Sequence, residues 1–488
     1  MGEKKEELIK IVGDNNVLDD PETLDSYSSD YSFVPSRKPW FVVKARNADE
    51  VQRIVEWANR TVTPLVPVSS GPPHFRGDTV PSEGGAVIVD LSEMKRIITI
   101  DGKNRMTIVE PGVTYSQLQP ELAKEGLRLS MPLLPRRNKS VAASLIEREP
   151  TLIPKYRWLS ADPLRCLEIV WGNGDKMMTG EAGNFASIEA AWKRYFALLN
   201  PRGPAQVDYY RLVQAAQGTM GIVTWTALRC EKLPKVQKLF LVPAKRLDEL
   251  LDFAYRLLRF RFGDEFLFLN SLNLACILGE VADVIKALRD ELPRWVLILS
   301  LSGRDILPEE KVEFLEKDIA DIAQQFGLRL ISSVPGASSG RVLEAILNPS
   351  KEPYWKLGYK GGCQDIFFLT TLNRTPEFVR TMYSVAEAQG YPASDIGIYI
   401  QPVHQGASCH CEFSLPYDRS GQVEVTKMQG LFTEASEQLL KEGAFFSRPY
   451  GFWADMAYNK DTQTTMVLKK VKDIFDPNHV MNAGKLCF

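Results

Sequence analysis

The sequence has no long hydrophobic run, no large excess of charge and no pattern of paired cysteines. Its longest apolar stretches, such as residues 295–301, are far too short to cross a bilayer. The formal net charge is −2, so the chain lacks the basic excess that is typical of nucleic-acid-binding proteins. Seven scattered cysteines, an odd number, are not typical of a disulfide framework. Because the charged start MGEKKEELIK has no apolar signal core, we expect a cytoplasmic protein without a membrane span.

The chain is long and apolar enough to form two or three domains, with 488 residues of which 44% are hydrophobic. Its first clear unit is a strand at residues 40–44, a helix capped by Asn47, and a strand at 65–68. Several strands follow, including a hairpin at 167–179. Beyond about Pro234, amphipathic helices alternate with strands, which predicts an α+β second domain with an antiparallel sheet.

Four segments far apart in the sequence carry a family resemblance. They are PGVTYSQL (111–118), IEREPTLIPKY (146–156), QGTMGIVT (217–224) and FDPNHVMNAGK (475–485). In this order and spacing they resemble the vanillyl-alcohol oxidase and p-cresol methylhydroxylase (PCMH) superfamily, and most closely its phenol-oxidising branch. The resemblance implies FAD as cofactor and a two-domain α+β fold of the PCMH type, whose cap domain combines an antiparallel sheet with helices.

The resemblance also implies a division of the chain into three parts. Residues 1–233 correspond to the FAD-binding domain, residues 234–460 to the cap and substrate domain, and residues 461–488 to a C-terminal segment that returns to the FAD domain.

Two loops are expected to hold the diphosphate of FAD, which proteins often bind with backbone N–H groups of glycine-rich turns. The first corresponds to residues 67–78, where Pro72 and Pro73 remove two donors. The second corresponds to residues 135–140 and contains no glycine. On one interpretation, basic side chains of the second loop replace the lost donors. On the other, the loop has diverged because nothing binds there. The cofactor residues expected in the two loops are Ser69, Ser70, Gly71, Gly77, Arg136, Arg137, Lys139 and Ser140.

Further cofactor contacts are implied outside these loops. His410 lies near the position at which the branch carries a histidine joined covalently to FAD, so covalent attachment through His410 is one interpretation. A hydrogen-bonded pocket wall is the other, since strand alternation over residues 407–415 places His410 with Ser408 and Glu412 on one face, and Cys409 and Cys411 on the opposite, buried face. The remaining expected cofactor residues are Glu147, Gly218, Met220, Gly221, Ile222, Asn482 and Lys485.

The expected catalytic residues depart from the branch, which holds a phenolate with two tyrosines and an arginine. Here the arginine is retained as Arg448, whereas the tyrosine positions fall on Arg76 and Ser447 and the acidic position on Pro135. Two arginines in one pocket would suit a carboxylate substrate through bidentate pairing. We therefore expect Arg448, Arg76 and Tyr450 in the catalytic site, although Arg76 facing solvent is an open alternative.

A metal site is not expected. Relatives that oxidise D-2-hydroxy acids hold a metal with two histidines around a GDGN turn, which is missing here. His404 and His410 would lie about 20 Å apart on one extended strand, too far to share an ion.

Three interpretations of function remain open. The preferred one is an FAD-dependent oxidoreductase that removes hydride from a small organic substrate, either an aromatic alcohol, an alkylphenol or a carboxylate. The second is a D-2-hydroxy acid dehydrogenase of the lactate or glycolate type. The third is a flavin-free subunit that assembles with an active paralogue. We also expect an oligomer, and a redox partner protein or paralogous subunit as partner.

Overall fold

The first sheet forms from the N-terminal strands of the chain. The computed structural model describes residues 2–157, 162–185, 187–194, 198–203, 208–458 and 460–488. The strands of this sheet have the order β1-β2-β4-β3, in which β2 and β3 run parallel to β4. Its elements are β1 (Val17–Leu18), β2 (Phe41–Lys44), β3 (Leu65–Val68) and β4 (Val87–Asp90), with α1 (Gly2–Val12), α2 (Pro21–Ser26) and α3 (Ala48–Thr61).

The predicted cap of α3 is present. The side chain of Asn47 accepts a hydrogen bond from the backbone N–H of Glu50 at 2.9 Å, which satisfies a donor that the first turn cannot pair internally. Val51, Ile54 and Val55 are fully buried against the sheet. The strand, helix, strand unit predicted from the sequence is therefore confirmed.

The second sheet is antiparallel and follows directly. Its order is β5-β6-β10-β8-β9, and the predicted hairpin is the pair β8 and β9. Two short strands, β7 and β11, pair beside it. The elements are β5 (Ile97–Asp101), β6 (Met106–Val109), α4 (Tyr115–Lys124), β7 (Leu127–Arg128), α5 (Val141–Ile146), β8 (Leu164–Trp171), β9 (Lys176–Met178), α6 (Ile188–Lys193), α7 (Tyr210–Val213), β10 (Gly221–Arg229) and β11 (Glu231–Lys232).

The third sheet has six antiparallel strands in the order β12-β14-β13-β18-β19-β17. One face packs against α8, α11, α13 and α14, and the other against α9, α10 and α12. The elements are β12 (Val236–Ala244), α8 (Asp248–Arg259), β13 (Phe266–Asn270), α9 (Ser271–Leu278), α10 (Ala282–Glu291), β14 (Trp295–Gly303), α11 (Pro308–Gln325), β15 (Ser333–Val334), β16 (Ala337–Ser338), α12 (Ser339–Ile346), β17 (Gly361–Thr370), α13 (Thr375–Ala388), β18 (Gly397–Val403), β19 (Ser408–Asp418) and α14 (Gln422–Lys441).

The C-terminal tail contacts the first sheet. After α15 (Trp453–Tyr458) and α16 (Thr462–Phe475), Met481 pairs with Leu65 in a parallel bridge. The N–H of Leu65 donates to the carbonyl of Val480 at 2.7 Å, and the N–H of Asn482 donates to the carbonyl of Leu65 at 2.8 Å. The tail thus pairs with the edge strand β3.

The α+β class with an antiparallel cap sheet is confirmed, whereas the domain limits at residues 233 and 460 remain a prediction. Cys409 and Cys411 lie in the core of the cap, as strand alternation predicted. No helix in the described part of the chain combines the length and hydropathy that a membrane span requires.

Candidate functional site

A cavity of about 220 Å³ lies between the loops of the first two sheets and the cap sheet. Residues 67–79, which follow β3, form one side of it, and residues 132–150, around α5, form another. Residues 213–223, at the start of β10, extend it along the second sheet. The cap contributes residues 354–356 and the strands β17, β18 and β19. Segments distant in sequence therefore meet at one site.

Most of the residues expected at the cofactor or catalytic site line this cavity. They are Ser69, Ser70, Arg76, Arg136, Lys139, Glu147, Gly218, Met220, Gly221, Ile222 and Arg448.

Other expected residues lie behind the lining and support it. Tyr450 contacts Arg76 and Glu147 through its hydroxyl, each at 3.4 Å. Asn482 donates to the carbonyls of Asp78 and Gln217 at 2.9 and 2.6 Å, and so joins the tail to two lining segments. These residues position the cavity wall.

Three expected cofactor residues have mainly local or structural contacts. Lys485 donates to the carbonyl of Gly77 at 2.7 Å. Gly77 packs against Val34, where an added Cβ would lie 2.3 Å from a methyl carbon. Arg137 is exposed and does not reach the cavity. The structure therefore does not bring Arg137 to the site, because the second loop turns its side chain outward.

The two expected diphosphate loops are bonded to each other. The N–H of Gly71 donates to the carbonyl of Asn138 at 2.9 Å, and the N–H of Ser140 donates to the hydroxyl of Ser70 at 3.0 Å. Arg136 donates to the carbonyl of Gly71 at 2.8 Å and also to that of Pro73. Two backbone donors that a glycine loop would offer to an anion are thus used within the protein.

An ion-pair cluster lies next to these loops, and we call Arg76, Lys139, Glu147 and Glu149 the four-residue cluster. Arg76 contacts Glu147 at 2.7 Å and Glu149 at 3.0 Å, while Lys139 contacts both carboxylate oxygens of Glu147 at 3.0 Å. Burial alone would raise the pKa of Glu149, but Lys139, Arg76 and Arg448 hold that pKa below its usual value. The two positive and two negative charges of the cluster cancel. The side chain of Arg76 faces this cluster rather than solvent.

A second polar cluster occupies the cap side of the cavity. Lys356 lies between Asp365 and Glu412, with its Nζ at 2.6 Å from an oxygen of each. Burial and the neighbouring Glu412 raise the pKa of Asp365. Burial opposes ionisation of Glu412 too, but Lys356 and His410 lower its pKa overall. The wall therefore carries one carboxylate whose pKa is lowered and one whose pKa is raised.

Arg448 lies at the same end of the cavity and is 4% exposed. Its guanidinium carbon lies 4.3 Å from the centroid of the Phe367 ring, which is a cation–π contact. Burial, followed by repulsion from Arg76, lowers the pKa of Arg448. Its Nη1 has no hydrogen-bond partner among the described residues. A buried donor of this kind is costly unless a ligand or water satisfies it.

His410 does not line the cavity. It is 2% exposed and packs between the rings of Phe367 and Tyr399, with Nε2 3.3 Å from Glu412. This position fits the interpretation of a hydrogen-bonded wall better than covalent attachment to FAD, which remains an untested prediction.

The region around His404 differs from the sequence expectation. The expected extended strand from His404 to His410 is wrong, because β18 and β19 form a hairpin whose turn contains His404. In the described part of the chain, no group of His, Cys, Asp and Glu side chains is arranged to hold a metal ion.

Several lining residues were missed by the sequence analysis. They come from loops and strand faces without a motif, although the alternation in β19 did group Glu412 with His410. These residues are Asp78, Glu149, Tyr354, Lys356, Asp365, Tyr399 and Glu412.

The cavity fits FAD in its chemistry. Its lining combines the two loops, polar side chains of the cap, and Gly218 and Gly221, where an added Cβ would come within 2.5 Å of neighbouring atoms. His74 Nε2 and Arg448 Nη1, on different segments of the lining, are buried without partners among the described residues. A molecule with an anionic centre and polar ends would satisfy such donors.

Comparisons with known proteins agree with this geometry. Residues 39–148 match a family model described as "FAD binding domain". The chain is 28% identical over 244 residues to glycolate oxidase subunit GlcD of Bacillus subtilis, an alignment that covers 50% of this chain and 48% of that protein. It is 21% identical over 507 residues to D-2-hydroxyglutarate dehydrogenase of Stutzerimonas stutzeri, covering 99% of this chain and 98% of that protein.

A solved structure extends the similarity to the whole fold. The crystal structure of p-cresol methylhydroxylase with substrate bound superposes with a TM-score of 0.83 at 20% identity, covering 100% of this chain and 96% of that one. At the level of the family, the expected FAD cofactor and oxidoreductase class are confirmed. The chain therefore contains an FAD-binding domain and shares the fold of p-cresol methylhydroxylase, as its sequence motifs predicted.

Proposed function

We propose that this protein removes hydride from a small anionic organic substrate, with a carboxylate as the group that Arg448 binds. The observation that carries the proposal is the buried Nη1 of Arg448, which has no hydrogen-bond partner among the described residues and lines the cavity. A planar guanidinium pairs well with a carboxylate. Arg76 does not share this role, because Glu147 and Glu149 already engage its nitrogens.

The chain's own residues would orient the substrate and receive its proton. Bound FAD supplies the acceptor of the hydride. Arg448 holds the carboxylate, and the ring of Phe367 packs against its guanidinium. We propose Asp365 as the proton acceptor, since it lines the cavity and its pKa is raised by burial. Lys356, 2.6 Å from Asp365, would stabilise the carboxylate before proton transfer.

Among substrates of this class we favour D-2-hydroxy acids over alkylphenols. Two of the relatives carry the names glycolate oxidase subunit and D-2-hydroxyglutarate dehydrogenase, and both names denote hydroxy acids. The phenol-binding tyrosines of the resembling branch are replaced here by Arg76 and Ser447. Aromatic alcohols and alkylphenols remain the second candidate, which the similarity to p-cresol methylhydroxylase supports at the level of fold.

The test is to purify the protein, record its visible spectrum and then add candidate substrates without oxygen. We expect flavin bands near ~450 nm that bleach with a D-2-hydroxy acid and not with the corresponding L-acid. Substitution of Arg448 by Met should raise KM about 100-fold or more, because it removes a charge-assisted pair. Colourless protein that FAD cannot reconstitute would instead support the flavin-free subunit. Bleaching by an alkylphenol alone would contradict the hydroxy-acid assignment.

The partner, the oligomer and the compartment are further parts of the proposal. A redox partner protein or paralogous subunit would reoxidise the flavin, and comparing oxygen with a cytochrome as acceptor tests this. All seven cysteines are free, which suits a reducing compartment such as the cytoplasm. Light scattering of the purified protein measures whether it is an oligomer.

A further inference from the structure

His74 is a buried histidine that the proposed reaction does not use. It lies in the first diphosphate loop, lines the cavity and is 9% exposed. Its backbone is held in place, because its carbonyl accepts a hydrogen bond from the N–H of Tyr31 at 2.9 Å. Its Nε2 has no hydrogen-bond partner among the described residues. A buried, fixed donor or acceptor without a protein partner requires a reason, and a ligand provides one.

The surroundings of His74 are positive. Burial, followed by the charges of Arg136 and Lys139, lowers the pKa of His74 to about 3. The imidazole is therefore neutral at physiological pH, and one of its nitrogens can donate an N–H. A neutral donor flanked by cations suits an anion better than it suits a metal ion or a cationic group.

Arg136 and Lys139 differ in how far their charges are neutralised. Lys139 contacts both carboxylate oxygens of Glu147 at 3.0 Å, and Glu149 at 3.5 Å. Arg136 uses Nη1 for backbone carbonyls and makes no ion pair with a carboxylate among the described residues. Since a guanidinium has five N–H donors, Arg136 keeps donors and charge for a ligand.

Part of the backbone of the two loops offers no N–H to a diphosphate. Pro72 and Pro73 have no N–H, and the N–H groups of Gly71 and Ser140 are bonded within the protein. Side chains can therefore replace the donors that these four positions would supply in a glycine-rich loop. His74 and Arg136 lie in these two loops, and both line the cavity.

We propose that His74 and Arg136 together bind the diphosphate of the dinucleotide cofactor, and that Lys139 stabilises the Glu147 and Glu149 pair instead. The inference rests on the proposed function for the identity of the ligand. It gives His74 and Arg136 different roles in binding the diphosphate. His74 donates a neutral hydrogen bond, while Arg136 supplies the positive charge.

The test measures binding of ADP and of FAD to the full-length apoprotein by calorimetry. ADP carries the diphosphate without the flavin ring. We expect His74→Leu to weaken both ligands about tenfold or more, since it removes a hydrogen bond to a charged group. His74→Gln should retain most of the affinity, because its amide nitrogen can donate in place of Nε2. Arg136→Gln should weaken binding and reduce its dependence on salt.

The matched control is His479→Leu. His479 is a tail histidine whose side chain is 52% exposed and which pairs with Asp473 at 3.0 Å. It should bind ADP and FAD as the wild type does. Thermal unfolding without ligand checks that each variant folds.

A second measurement does not depend on variants. The chain has four histidines, so nitrogen resonances of ¹⁵N-labelled histidine side chains can be resolved. Addition of ADP should shift one neutral imidazole signal, that of His74. Absence of such a shift in protein that binds ADP would overturn the proposal.

The outcomes separate this inference from the proposed function. Wild-type affinity of His74→Leu for both ligands would overturn the inference and leave the oxidoreductase intact. His74-dependent binding of ADP without any binding of FAD would support the inference and contradict the redox function. A wild-type protein that binds neither ligand would overturn both.

Discussion

Arg76 and Glu147, separated by 71 positions in the sequence, form an ion pair of 2.7 Å beside the cavity, and the hydroxyl of Tyr450 contacts both. Their side chains are 25% and 16% exposed, so water screens the pair only in part. Burial raises the pKa of Tyr450, and Glu147 raises it further, which keeps the phenol protonated as a donor. The pair fixes the first loop against the end of α5.

Replacing Glu147 by Gln should destabilise the protein by about 3 kcal/mol, because Arg76 and Lys139 would lose a shared carboxylate in a partly buried site. Urea unfolding followed by circular dichroism measures the change. The control is Lys351→Ala, which breaks the exposed pair with Glu280 and should change stability little. Equal effects of the two substitutions would contradict a structural role for the four-residue cluster.

Asp78 makes the stability depend on pH. Burial, followed by repulsion from Glu147, raises the pKa of Asp78 to about 6 in the folded state, above the ordinary value of 3.8. Folding therefore favours the protonated carboxyl, and this contribution is complete below pH 3.8 and lost as the pH rises through 6. Asp78→Asn should be more stable than the wild type at pH 7 to 8, by about 1.4 kcal/mol per unit of pKa difference, and similar at pH 4. Denaturant titrations at several pH values measure the difference in stability between the variant and the wild type. A difference that does not change with pH would exclude Asp78 as the source of the pH dependence.

Asp365→Asn should lower kcat about 100-fold or more, since it removes the proposed proton acceptor. The flavin content should change less than the rate, because Asp365 belongs to the cap strand β17 and not to the two expected diphosphate loops. Stopped-flow reduction of the flavin measures the rate. Asp365→Glu is the matched variant and should recover part of it. If Asp365→Asn reduced the flavin at the wild-type rate, the acceptor would have to be another group.

Substitution of Gly218 tests whether the cavity wall has room for a side chain at this position. Gly218 has φ of +71°, and an added Cβ would lie 2.5 Å from Cγ of Pro67. Gly218→Ala should therefore destabilise the protein by about 1–3 kcal/mol and reduce its flavin content. Gly430→Ala in α14 is the control, because nothing lies within 4 Å of its Cβ position, and a gain of about 0.5–1 kcal/mol is expected. Thermal unfolding measures the change in stability that each of the two substitutions causes.

The sequence predicted local structure well because its signals are local. Asn47 precedes an apolar pattern of helical spacing, and the structure has the capped helix α3 at that position. Alternation in β19 placed Cys409 and Cys411 on one face and Glu412 on the other, which the structure confirms. The family motifs likewise predicted FAD and the cap, since their order constrains the whole fold.

The charges at the site could not be predicted in the same way. Strand alternation gives the face of β19 that carries Glu412, but only packing brings that face to Lys356 and the cavity. The outward turn of Arg137 depends on hydrogen bonds between two loops about 65 residues apart, such as that from Arg136 to Gly71. No local pattern encodes such contacts, because they arise from tertiary structure.

The bridge between Met481 and Leu65 has a consequence for synthesis in the cell. The edge of the first sheet reaches its final pairing only after residue 481 has left the ribosome, more than 400 residues after β3. Until then β3 exposes an unpaired edge that could associate with other chains. Chaperones that shield nascent chains should therefore matter more for the yield of this protein than for one whose N-terminal domain closes on itself.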